Sequence, residues 1–276
     1  MTGSTAPTPS YRSEAELLGA LRSDGPALVA LSGGVDSSLV AALAREALGP
    51  ESMAVTLRGP AVASAEVERA RRVARFLGIR HEVLTIDPLA RDEYRANPTN
   101  RCYFCRSVES SALREFGIPR GVRQFLDGIH LDDLADDRPG IRAMDEAGFR
   151  HPLLWAGWRK ARVRDAARTR GLPNWDAPSD ACLASRVAHG EPISRELLGR
   201  IEAAESVLLE HGFRRVRVRI RGGGARIEVG PEEVARLSAD PMAGEVMAAV
   251  RRLGFASVTI DPRGYGRASA GPSRSP

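Results

Sequence analysis

Five apolar residues, 27–31 (ALVAL), run straight into Ser32-Gly33-Gly34-Val35-Asp36-Ser37, and a helical pattern begins at once behind them. Nothing else in the chain restricts its fold so tightly. An apolar run bounded by Gly25-Pro26 and by Ser32-Gly33-Gly34 reads as a buried strand. Residues 36–48 read as the helix that follows, closed by Gly49-Pro50. Two glycines let the backbone turn sharply and approach an anion. The helix start then directs unpaired N–H groups and the positive end of its dipole at that anion. Ser32 and Ser37 add hydroxyl donors, and Asp36 can cap the helix or help to hold Mg²⁺ with phosphate oxygens. The loop matches neither GxxxxGK[ST] nor GxGxxG. A plain capped turn is the alternative reading, and the full SGGVDS in its strand–helix setting favours phosphate.

The alternation continues. Residues 53–57 and 81–86 are strand-like, 64–77 helix-like, and 123–126 a further short strand. This pattern predicts an α/β domain, a parallel sheet with helices on its faces. After Gly190 the pattern changes. Ser194 is placed to cap a helix running to about His211. Residues 215–220 and 225–229 alternate around Gly222-Gly223-Gly224 as a hairpin would. Two helical segments and a strand at 256–260 complete a smaller α+β domain. The expected division is a disordered start at 1–12, the phosphate-loop domain at 13–186, the α+β domain at 187–264 and a flexible tail at 265–276.

Composition excludes more than it selects. No run approaches the ~20 apolar residues of a membrane helix, and the polar start lacks the apolar core of a secretory signal. Three cysteines, an odd number, argue against a disulfide framework and for a reducing cytoplasm. The net charge of +5, almost all from arginine, suits phosphorylated ligands or merely solvated helix faces. Aromatic content of 5% argues against a stacking platform for nucleic acid.

Two further segments suggest chemistry. Asp127-Gly128 leads into Asp132, Asp133, Asp136 and Asp137, with Arg138 and Arg142 following. Crowded carboxylates repel one another, and Mg²⁺ would relieve that repulsion; a solvated loop is the bland alternative. Cys102 and Cys105 form a CxxC, and Cys182 stands in ACLASR. Flanking Arg101, Arg106 and Arg186 would lower the thiol pKa values. The three thiols could hold an iron–sulfur cluster with one iron open, an incomplete zinc site, or no metal at all.

SGGVDS resembles the signature of the PP-loop (N-type ATP pyrophosphatase) superfamily. From about residue 14 to 267 the chain resembles the LarE family of sulfur transferases. The stretches that carry this are SGGVDSSLVAALA, NPTNRCYFCR, LDG…DD…RPG…R, His151-Pro152-Leu153, Leu172-Pro173-Asn174-Trp175, ACLASR, His189-Gly190-Glu191-Pro192-Ile193 and VRVR…ARIEV. The resemblance implies an enzyme that adenylates a carboxylate of a pyridine-3,5-dicarboxylate mononucleotide, releases pyrophosphate, and leaves a thiocarboxylate on the way to a nickel-pincer nucleotide.

It also implies that Ser32, Gly33, Gly34, Asp36 and Ser37 hold the pyrophosphate end of ATP, and that Thr56, Leu57 and Arg58 lie by the adenine. Asp127, Gly128, Asp133, Arg138 and Arg142 become nucleotide contacts, with Asp36 and Asp132 on Mg²⁺. In one family variant a single cysteine gives up its own sulfur. In another, three cysteines carry a [4Fe-4S] cluster whose open iron binds sulfide. Cys102, Cys105 and Cys182 match the second, with Arg186 beside the sulfur. Arg217 and Arg219 match substrate-phosphate positions, Glu228 a site-facing acid, and the assembly a homo-oligomer supplied by an unidentified sulfide source. Arg221, where the family usually has His, the run Gly222-Gly223-Gly224, and Arg267 one place late depart from the pattern. The competing readings are a PP-loop tRNA thiolation enzyme and a non-catalytic nucleotide-binding scaffold.

Overall fold

A computed structural model of the chain describes residues 11, 13–135, 139–178 and 181–265. The fold has two compact units; the first holds residues up to 94 together with 98–180, the second 95–97 and 181 onward.

The first unit opens with α1 (Glu14–Asp24), whose cap Ser13 accepts from the Glu16 N–H. Then come β1 (Ala27–Ala30), α2 (Val35–Leu48), β2 (Ser52–Arg58), α3 (Ser64–Leu77), β3 (Arg80–Thr85), α4 (Asp92–Arg95), α5 (Arg101–Gly117) and β4 (Gln124–Leu126). Helices α6 (Pro139–Glu146), α7 (Pro152–Trp155) and α8 (Lys160–Thr169) follow. The strands form a parallel sheet in the order β3-β2-β1-β4, as the alternation predicts. Strand order reverses between β1 and β4. In open α/β sheets that switch point opens a crevice beyond the C-terminal strand ends, and the Ser32–Ser37 loop lies there.

Helix α2 is buried along most of its length, with Leu39, Val40, Ala41, Leu43 and Ala44 fully inaccessible. Its alanines and serines let α1, α3 and α8 pack closely against it. On the other sheet face Leu28, Met53 and Val55 meet Leu113, Phe125, Met144 and Phe149. Helix α3 buries only Val67, Ala70, Val73 and Ala74, which is the apolar stripe expected of a surface helix. Gly78, left-handed at φ 58°, ends it by donating to the Ala74 and Arg75 carbonyls.

The second unit contains α9 (Arg195–Glu210), capped by the Ser194 hydroxyl. Strands β5 (Val216–Arg221) and β6 (Gly224–Val229) form the expected hairpin. Gly222 and Gly223 turn it with φ of 56° and 75°, the two positive angles that a tight two-residue turn requires. After α10 (Val234–Ser238) and α11 (Met242–Arg251), β7 (Val258–Ile260) joins β6 in parallel, giving the order β5-β6-β7. Residues 181–186, assigned by sequence to the first domain, group with this unit because Arg186 is buried on Glu205 of α9. Among the described residues no helix is long and apolar enough to cross a membrane.

Candidate functional site

The loop between β1 and α2 is held from every side. Gly33 sits at φ 83°, and a Cβ there would lie 2.7 Å from the Glu66 carbonyl and 2.9 Å from the Ala70 nitrogen. Only glycine permits that approach to α3. Gly128, just past β4, is equally constrained: its Cβ would stand 2.6 Å from the Ser37 nitrogen. The Ser32 and Ser37 hydroxyls are 3.0 Å apart, Ser37 Oγ accepts from the Ser32 N–H at 3.1 Å, and Ser38 donates to the Gly34 carbonyl at 2.8 Å. Asn174 Nδ2 clamps the loop from outside, reaching the Gly33 carbonyl at 2.8 Å and Ser38 Oγ at 3.0 Å. These bonds fix the course of the loop between β1 and α2.

Lys160 is the residue that sequence reasoning missed. It is the single lysine of the chain, in which lysine and arginine together number 40. Its Nζ donates to both Asp36 oxygens at 2.7 and 2.6 Å. A lysine in the first turn of a helix opposes the helix dipole, so its position on α8 reflects what it reaches. Asp132 sets that position by accepting from the Lys160 backbone N–H at 2.8 Å and from Arg159 at 2.6 Å. These bonds, the backbone one foremost, hold its carboxyl below the usual range. Asp133 turns back to accept from the His130 N–H, and His130 Nε2 lies 3.7 Å from Asp36.

A second group, this one buried, centres on His151. His151 bridges Asp127 (Nδ1–Oδ1, 2.7 Å) and Asp145 (Nε2–Oδ1, 2.8 Å). Burial alone would lower its pKa, but the hydrogen bonds and charges of Asp127 and then Asp145 outweigh burial and raise it. Among the described residues Asp127 Oδ2 is buried without a hydrogen-bond partner, at the head of the sheet beside the phosphate loop.

Other expected nucleotide contacts fare differently. The Thr56 hydroxyl is spent inside the sheet, 2.6 Å from the Leu31 carbonyl and 2.8 Å from His81, so at that strand end Leu57 and Arg58 are the more open residues. Arg142 is exposed, over the Tyr103 ring and 3.5 Å from Glu146. Asp136, Asp137 and Arg138 lie outside the described residues.

Cys102 and Cys105 share one face of α5, three residues apart in its first turns. Cys105 donates to Glu109 at 3.3 Å, and Arg106 pairs with the same carboxylate at 2.7 Å. Gly140 leaves room for α6 to lie against Cys102 and Arg106. Cys182 belongs to the second unit, at the start of a 3-10 turn, and none of the three cysteines is in a disulfide. Arg186, expected beside the sulfur, forms a two-pronged pair with Glu205 at 2.8 and 3.0 Å and also donates to the Cys182 carbonyl at 3.1 Å. Glu228 is fully buried between Arg219 (2.8 Å) and Arg226 (3.0 Å), while Arg217 lies over the Tyr265 ring.

Among the described residues no three His, Cys, Asp or Glu side chains gather as a metal-ligand group. Asp36 and Asp132, expected on Mg²⁺, are both engaged by cationic or N–H donors of residues 159 and 160.

The asparagine synthase family model matches residues 18–95, the stretch holding the phosphate loop. An uncharacterized protein of Synechocystis is 41% identical over 87% of this chain and 89% of its own length. The pyridinium-3,5-bisthiocarboxylic acid mononucleotide synthase of Lactiplantibacillus plantarum is 33% identical over 91% of each chain. A tRNA-specific 2-thiouridylase of Xanthobacter autotrophicus is 31% identical over 85% of this chain and 72% of its own.

Proposed function

The chain belongs to the LarE family of ATP-dependent sulfur transferases, and on that premise we propose that it converts a carboxylate of pyridinium-3,5-biscarboxylic acid mononucleotide to a thiocarboxylate for nickel-pincer nucleotide biosynthesis. The carboxylate oxygen attacks the α-phosphorus of ATP, the α–β phosphoanhydride bond breaks, and pyrophosphate leaves. A sulfur nucleophile then attacks the acyl carbon, and AMP departs with the C–O electron pair. Activation is needed because oxide cannot leave a carboxylate, whereas AMP can.

The observation that carries this reading is the Ser32–Ser37 loop at the head of the sheet with Lys160 on Asp36. Loop N–H groups and the Ser32 and Ser37 hydroxyls receive the polyphosphate. Lys160 then shares its charge between Asp36 and the departing pyrophosphate, the placement that most favours a transition state gaining negative charge there. Asp127, held by His151, offers its unpartnered oxygen to a hydroxyl or N–H of the nucleotide. Arg217 and Arg219 receive the acceptor's phosphate, and Glu228 holds Arg219 in its orientation. Mg²⁺, when bound, would supply countercharge to the phosphates, with Asp36 and Asp132 as the residues that would hold it.

For the sulfur we propose a [4Fe-4S] cluster on Cys102, Cys105 and Cys182, whose open iron would hold sulfide delivered from an external source. This part rests on the number and spacing of the cysteines. Cys102→Ala, Cys105→Ala and Cys182→Ala should each abolish sulfur transfer and reduce iron and acid-labile sulfide, while adenylation persists. Transfer by all three variants would remove the cluster from the mechanism.

The main test is pyrophosphate release from ATP–Mg²⁺ by anaerobically purified protein, with the pyridine dicarboxylate mononucleotide or bulk tRNA as acceptor. Release with the mononucleotide alone supports the proposal. Release with tRNA alone transfers the function to RNA thiolation.

A further inference from the structure

We propose that Glu205 is a positioning residue that fixes the Cys182 segment to the strand bearing Arg217 and Arg219. The inference rests on the proposed sulfur-transfer function for its purpose, but not for its geometry.

Glu205 is 9% exposed and Arg186 4%. A buried ion pair seldom gains over a well-packed apolar pair, because desolvation offsets most of the attraction. Its retention therefore directs attention to what its atoms hold. The Arg186 fork donates through Nε and Nη2 to the two Glu205 oxygens. The remaining nitrogen, Nη1, donates to the Ala181 carbonyl, to the Cys182 carbonyl at 3.1 Å, and to Ser185 Oγ at 3.0 Å. The Cys182 backbone is thereby pinned on the cysteine itself and on the residue before it. Glu205 Oε1 also accepts from the Val218 N–H at 3.0 Å. Val218 lies between Arg217 and Arg219 on β5, the edge strand of its sheet. The same edge takes the Val187–Ile220 bridge and the Ala188 N–H, 3.2 Å from the Ile220 carbonyl.

One carboxylate thus ties the sulfur-bearing segment to the arginine-bearing strand. With its charge neutralised by Glu205 and its N–H groups aimed at carbonyls, Arg186 acts on Cys182 through geometry. A fixed spacing between sulfur and phosphate site is what an attack on a phosphate-anchored acyl-adenylate requires.

The test measures alkylation of each cysteine by iodoacetamide in the reduced, metal-free full-length chain, followed by peptide mass analysis across pH 6–9. Cys102 and Cys105 serve as internal controls. Glu205→Gln should change the Cys182 rate by about fivefold or more while the other two stay within about twofold, the mark of a local opening. Arg186→Lys, which keeps the charge but loses the fork, should do the same and is the deciding variant if Glu205→Gln does not fold. An unchanged Cys182 rate, or three cysteines shifting together, would overturn the proposal. Should the chain prove to thiolate another acceptor, the alkylation result would be untouched.

Discussion

Removing the Lys160 ammonium is the sharpest available perturbation, because no other lysine can compensate. Two unit charges about 4 Å apart at an effective dielectric of about 20 attract by about 4 kcal/mol. Lys160 and Asp36 are 25% and 26% exposed, so solvent screens much of this. A loss of about 1 kcal/mol in folding stability is expected for Lys160→Met, a fall of about 2–4 °C in Tm for a chain of this size. The catalytic loss should be larger. A preorganised donor aimed at developing charge is worth about 10²–10³ in kcat, or about 3–4 kcal/mol. Lys160→Met should therefore lower the rate of pyrophosphate release by that factor in an anaerobic coupled assay. Lys160→Arg keeps the charge but replaces a compact ammonium, 2.6 and 2.7 Å from two oxygens of one carboxylate, with a planar fork. It should lose about tenfold or more, well outside a folding effect. Turnover by Lys160→Met within about threefold of the parent, or by Lys160→Arg equal to it, would refute a role for this amine in the adenylation step.

Gly33→Ala adds both a strained φ and a backbone clash, and should cost about 2–5 kcal/mol in urea unfolding; Gly78→Ala, with similar φ but open space, should cost only about 1–2 kcal/mol. The raised His151 pKa makes its protonated form stabilising: the contribution is complete below the unfolded pKa of about 6.5 and is lost as pH rises through the higher folded value. His151→Gln should flatten the decline in urea midpoint from about pH 6.5 upward, and an unaltered slope would dissociate His151 from it. Glu228→Leu leaves Arg219 and Arg226 without their shared carboxylate and should destabilise the chain by about 3 kcal/mol, measured by thermal unfolding.

Local chemistry made much of this fold legible. Helix α3 matches residues 64–77 because its stripe and its terminal glycine agree, and Ser194 marks α9 by ordinary capping. The phosphate loop needed only its own six residues and their setting. The three helices between 139 and 169 are short, interrupted by Gly148, Gly157 and Pro152, and give little periodicity to read. Long-range pairs escaped entirely. Lys160 is 124 positions from Asp36, and Arg186 meets a glutamate on a different element. A local reading places Arg186 beside a thiol but has no means of finding Glu205, the carboxylate that takes its charge. Yet one signal was present: in a chain saturated with arginine, a lone lysine is conspicuous.

That loneliness has an analytical use. Amine-acylating reagents meet one ε-amine in the whole chain, besides the N-terminal α-amine, and it stands on the carboxylate at the mouth of the phosphate loop. Lys160 is therefore the one side-chain amine such a reagent can report on. Under the proposed function, acylation of the peptide that holds Lys160 should fall when ATP is added, with no engineered label and no altered residue.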